Sequence, residues 1–155
     1  MLIQQTIMVK SCNMAQEDKE LLLKDLCSRV PYGVKCKYND GVIVNILSVN
    51  FFYAQIEGWE KYVNHTLKYD VEDIKPYLFP LSSITEEQKR ELNSIGWYFD
   101  NDTISNSETY YSEDTDYTTH TDCCSLIDWL HKNHFDYRGL IEKGLAIDAT
   151  GLNVY

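Results

Sequence analysis

The sequence predicts an α+β fold: a small antiparallel sheet, closing toward an SH3-like barrel, with three or more packed helices and a C-terminal β-hairpin. Three observations predict it. Apolar residues recur at helical spacing over 17–29 and again over 122–134. Between 34 and 57 the pattern changes to short β-branched runs broken by Asn39-Asp40-Gly41, a tight-hairpin signal. Thr85-Glu86-Glu87-Gln88 matches a capping box, in which the threonine and glutamine side chains satisfy the backbone N–H groups opening a helix. The chain has 155 residues, 44% of them hydrophobic. That is enough for one core, so a single domain over 1–155 is expected.

The elements follow in order. Residues 1–16 carry weak alternation, the reading of one strand. In the helix at 17–29, Leu22, Leu23, Leu26 and Cys27 form the apolar face, with Glu20 and Lys24 paired on another. Glu17, Asp18 and Glu20 suit the positive end of the helix dipole, and Pro31 and Gly33 end the segment. Strands are expected at Val34–Tyr38, Val42–Val49, Phe51–Ile56 and Leu67–Val71. Asp73–Pro80 reads as a connector held by two prolines, with Ile74, Tyr77, Leu78 and Phe79 as core anchors. A short helix follows over 86–94, then a strand at Trp97-Tyr98-Phe99. Residues 100–121 are rich in Tyr, Ser and Thr and poor in aliphatics, the composition of a long loop or an exposed hairpin. Asp122 is the expected cap of the helix at 122–134, whose stripe is Cys123, Leu126, Ile127, Leu130 and His134. A third short helix is expected over 136–143, capped by Asp136, and a hairpin around Ala149-Thr150-Gly151.

Three stretches carry a family resemblance. They are Lys24-Asp25-Leu26-Cys27-Ser28-Arg29-Val30-Pro31-Tyr32-Gly33-Val34, Ile74-Lys75-Pro76-Tyr77-Leu78-Phe79-Pro80-Leu81-Ser82-Ser83, and the tail from His134 to Thr150. Together they resemble an uncharacterised family of small proteins from gut Bacteroidales bacteria and their phages or prophages. The resemblance covers about half the chain and omits the acidic stretch. The family has no assigned activity, so no catalytic residue is carried over. What the resemblance implies is a cytoplasmic accessory protein of a mobile element or its host.

Charge narrows the function. The net charge is -10, with 24 acids and 14 bases. No Lys or Arg lies between Arg90 and Lys132, and that interval holds nine acids. It therefore carries -9, and the remaining 15 acids and 14 bases leave -1. A chain of this kind lacks the clustered cations that phosphate-backbone binding needs. No run reaches the ~20 apolar residues of a membrane span, and no signal peptide opens the chain, so no membrane contact and a cytoplasmic location are expected. Five cysteines, two of them adjacent, do not make a secreted disulfide framework.

Two candidate sites emerge. The first is a contact surface for a protein partner of basic character: Asp100, Asp102, Glu108, Tyr110, Tyr111, Glu113, Asp114, Asp116 and Tyr117. The alternatives for this surface are a solvated loop and a nucleic-acid mimic that inhibits a DNA-binding protein. As a calcium loop it fails: Asp100 and Asp102 fit, but Ile104 and Tyr111 stand where ligands belong. The second site is His120, Cys123, Cys124, Asp128, His131 and His134, which loosely mimics zinc spacing and contains a Cys124–His131 pair. No cofactor motif and no complete catalytic set stand out, so the expectation leans away from an enzyme.

Overall fold

The computed structural model describes residues 14–38, 41–49, 53–56, 67–106 and 123–155. The expected strand within 1–16 lies almost wholly outside these residues. Helix α1 (Gln16–Arg29) leads through one 3-10 turn to Gly33, whose φ of 68° closes the segment. Strands β1 (Lys35–Tyr38), β2 (Val42–Val49), β3 (Tyr53–Ile56) and β4 (Leu67–Asp70) form an antiparallel meander. The expected hairpin joins β1 to β2, with Tyr38 opposite Val42 and Gly41 at φ 94°.

Asp73–Pro80 is not a connector. Ile74–Pro80 is strand β5, and it sits inside the sheet. The prolines argued against a strand because they cannot donate to a ladder. They are tolerated because β5 changes partners along its length. Ile74, Lys75 and Pro76 pair antiparallel with β1. Tyr77 and Leu78 pair parallel with β9 (Ile147–Asp148), and Phe79 and Pro80 with β8 (Phe135–Asp136). The sheet runs β4-β3-β2-β1-β5-β8, with β9 also on β5. Its described strands form an open path, so the SH3-like closure is not what forms. The α+β fold itself is present.

Helix α2 (Glu86–Ser94) begins with the expected capping box: Gln88 N–H donates to Thr85 Oγ1 at 3.3 Å and Thr85 N–H to Gln88 Oε1 at 2.9 Å. It packs on β6 (Trp97–Asp100), which pairs with β7 (Thr103–Asn106). Helix α3 (Cys123–Lys132) follows. No described helix is long and apolar enough to cross a membrane.

The expected helix over 136–143 is replaced by β8 and a series of turns. Gly139, at φ 72°, interrupts the helical path. Asp136 still caps: its carboxylate accepts from the N–H groups of Arg138, Leu140 and Ile141 at 3.2, 3.0 and 2.8 Å. The C-terminal β-hairpin does not form either. Its turn exists, with Leu152 N–H bonded to Ala149 O, but β9 pairs with β5, and Val154 and Tyr155 dock by their side chains. Buried Val154 packs with Tyr77 and Ala149.

Two cores result. One lies between α1 and the sheet, centred on Leu22, Leu26, Cys36, Val44, Ile74 and Leu78. The other joins α2, α3 and β8 through Ile84, Leu92, Trp129, Leu130 and Phe135. Glu20 accepts from Gln16, at 2.8 Å, rather than meeting the expected Lys24.

Candidate functional site

The acidic surface begins in a hairpin. Asn101 and Asp102 make a two-residue turn with φ of 46° and 59°, the left-handed pair that matches strand twist. The turn holds Asp100 and Asp102 in solvent. Strand alternation sends Trp97, Phe99 and Ile104 toward the second core and leaves Tyr98 45% exposed. The Trp97–Asn106 hairpin is therefore an arm anchored by Trp97, Phe99 and Ile104. Glu108, Tyr110, Tyr111, Glu113, Asp114, Asp116 and Tyr117 lie outside the described residues, as does His120.

The Cys/His/Asp cluster is taken apart by the helix that carries it. Cys124 and His131 are seven residues apart in α3, or ~10 Å along a helix axis, far beyond the ~3 Å of a proton transfer. Cys123, Cys124 and Asp128 are exposed, whereas His131 is buried. Asp128 accepts a 2.7 Å hydrogen bond from Tyr32, which pushes the tyrosine hydroxyl above its ordinary range. His131 Nε2 shares a 2.9 Å hydrogen bond with the Tyr137 hydroxyl, and its ring lies between Tyr32 and Tyr137. His134 has left the helix, at φ 57°, and stacks on Tyr155 with centroids 3.9 Å apart. Among the described residues no three His, Cys, Asp or Glu side chains could hold a metal ion. The helix stripe is broader than expected: Leu126, Ile127, Leu130 and His134 face inward as the spacing predicts, Trp129 and His131 are buried beside them, and Cys123 is exposed.

What the sequence reading missed is a buried charged centre. Asp25 and Arg29, one turn apart in α1, are both fully buried. Arg29 Nε donates to Asp25 Oδ2 at 2.7 Å, and Arg29 Nη2 donates to the Phe135 carbonyl at 2.7 Å. Arg138 Nε stands 3.7 Å from Asp25 Oδ1. Both guanidiniums lie near the Tyr137 ring, Arg29 at 5.7 Å and Arg138 at 5.0 Å from its centroid. The signal was present: Asp25 and Arg29 occupy the same face as Leu22 and Leu26, an i,i+4 ion pair set within an apolar stripe. The expected apolar face is Leu22, Leu23, Leu26 and Cys27; Leu22 and Leu26 are buried, but Leu23 is half-buried and Cys27 exposed.

Burial and, after it, the charge of Arg29 act on the histidines beside this centre. Burial lowers the His131 pKa, and Arg29 lowers it further. For His134, burial and then Arg29 bring it down to about 4. A histidine held neutral in the fold and charged in the unfolded chain stabilises the fold above pH 6.5 and loses that contribution as pH falls toward about 4. The expected loss from His134 is on the order of 2 kcal/mol, allowing for partial solvent screening. Urea midpoints at pH 7.5 and 4.5 measure it. His134→Asn, which tolerates positive φ, should fall less between the two values than the parent. Equal falls would remove His134 from the acid response.

Comparison with known proteins finds no family model, no curated protein and no solved structure that matches this chain.

Proposed function

We propose that this chain is a non-catalytic interaction module that presents an acidic, tyrosine-bearing hairpin to a basic protein surface. The β6–β7 hairpin is the observation that carries the reading. Its inner face is anchored by Trp97, Phe99 and Ile104, while Asp100, Asp102 and Tyr98 remain in solvent. A rigid arm with exposed carboxylates and an aromatic ring loses little entropy on docking. Tyrosine supplies contact area, and the acids steer a cationic partner. The hairpin also opens the interval that carries -9 of the charge. The resemblance to the Bacteroidales and phage family supplies the setting, an accessory or regulatory protein of a mobile element or its bacterial host.

The test compares the parent with the double substitution Asp100→Lys and Asp102→Lys, each immobilised and exposed to extract of the native cell. The parent should retain a basic protein at low salt and release it as salt rises, since exposed charges are screened. The variant should retain roughly tenfold less. Equal retention by both would overturn the reading. Release by added duplex DNA would identify the partner as a DNA-binding protein and the hairpin as a mimic of phosphate charge.

A further inference from the structure

We propose that the buried centre around Asp25 and Tyr137 is a binding site for a phosphate group that carries a proton. The first support is charge. Arg29 and Arg138 share a single carboxylate, Asp25, so two guanidiniums face one compensating anion. A buried cation without a full partner is costly, and the missing charge is one that an anion supplies and a neutral molecule does not. Among the described residues no other acid lies within ion-pair distance of either guanidinium. Asp136 is occupied by three backbone N–H groups, and Asp128 by Tyr32.

The second support is the pattern of unpartnered atoms. Arg29 Nη1 and Arg138 Nη1 are buried donors with no hydrogen-bond partner, and Asp25 Oδ1 is a buried acceptor with none. The three side chains bearing these atoms meet on Asp25. Two donors and one acceptor define the ligand's chemistry. It must offer oxygens to both guanidiniums and a hydroxyl to the carboxylate. Hydrogen phosphate, or the singly protonated form of a phosphate monoester, does both. A carboxylate or sulfate at neutral pH has no hydroxyl to give and would meet Asp25 Oδ1 as a like charge.

The third support is that the charged groups are held in place, although their unpartnered atoms are closed to solvent and a ligand must open the Arg138–Asp25 contact to meet them. Asp25 and Arg29 sit on a helix. The loop bearing Tyr137 and Arg138 is pinned by the Asp136 carboxylate. Tyr137 is held by His131. The Arg138 side chain is 16% exposed, whereas Asp25 and Arg29 have no exposed side-chain surface, so of the three only Arg138 touches solvent. Planar guanidinium groups suit oxyanion recognition in a way a lysine does not.

The experiment is a thermal-unfolding titration of the full chain at pH 7 with sodium phosphate, methyl phosphate and sodium sulfate, each against sodium chloride at equal ionic strength, with calorimetry for stoichiometry. Phosphate should raise Tm saturably, by about several degrees, with one site per chain. Sulfate should bind at least about tenfold more weakly, because it lacks the hydroxyl. A rise with inorganic phosphate alone supports the free ion as ligand; a rise with methyl phosphate as well supports a phosphorylated molecule. Arg138→Met should abolish the rise. Arg138→Lys, which keeps the charge and loses the Nη1 donor, should weaken it about tenfold. A phosphate response no greater than chloride's, a sulfate response equal to it, or an undiminished response in both Arg138 variants would overturn the proposal.

Discussion

Replacing Arg29 by alanine is expected to remove about 3–5 kcal/mol of stability, because it breaks a buried ion pair from one side. Arg29 has no exposed surface, and neither has Asp25. Without the guanidinium, the Asp25 carboxylate would keep only Arg138, whose Nε is 3.7 Å away. The Phe135 carbonyl would also lose its 2.7 Å side-chain donor. An orphaned buried acceptor adds to the loss. Two further variants locate the energy. Arg29→Lys keeps the charge but offers a single point of attachment, and should cost less than alanine. The double substitution Asp25→Leu with Arg29→Met removes both charges and fills the space, and should recover much of the loss. It should not recover all of it, because the Phe135 carbonyl stays unserved and Arg138 loses its carboxylate partner. Urea midpoints with a common m-value are the measurement. A loss below about 1 kcal/mol for Arg29→Ala would mean that water reaches the pair and screens it.

The same residues show where sequence reasoning succeeded and where it stopped. Local signals carried well. The capping box at Thr85, the β1–β2 hairpin before Gly41 and the boundaries of α1 and α2 depend on neighbours along the chain, and each is present. What depended on distant partners was lost. Two prolines made Ile74–Pro80 look like a connector, and only the change of partner from β1 to β9 and β8 makes the strand intelligible. The C-terminal turn was legible, but its hairpin lost to the parallel pairing of Ile147 with Tyr77. The charged centre was hidden for a related reason. Asp25 and Arg29 look like any surface i,i+4 pair until α1 is set against the Phe135–Arg138 loop, which is 106 residues from Arg29 at its nearest bonded atom. Conversely, the Cys/His/Asp cluster looked chemical because its members are close in sequence. A helix spreads them along its length and turns His131 inward while Asp128 faces out.

Replacing Phe135 by alanine is expected to cost about 3–5 kcal/mol, the range for deleting a buried aromatic ring. Phe135 is 2% exposed and belongs to the second core. Its ring stacks on Trp129, with centroids 5.3 Å apart and planes at 17°, and meets Phe79 edge-on at 6.4 Å. Its backbone lies in β8 and accepts from Arg29. Alanine keeps that backbone contact, so the loss reports the ring alone and separates packing from the ion-pair effect of Arg29→Ala. Trp129 cannot simply follow the vacated ring, because its indole N–H is bonded to Glu91 at 3.0 Å. A cavity should therefore persist, and the cost should stay near the upper part of the range. Phe135→Leu refills most of the volume and loses the stacking, so roughly 1–2 kcal/mol is expected. Trp129 gives the local readout: its near-ultraviolet circular dichroism should weaken in both variants, and more in alanine. If Phe135→Ala cost no more than Phe135→Leu, with the tryptophan signal unchanged, the second core would not depend on this ring.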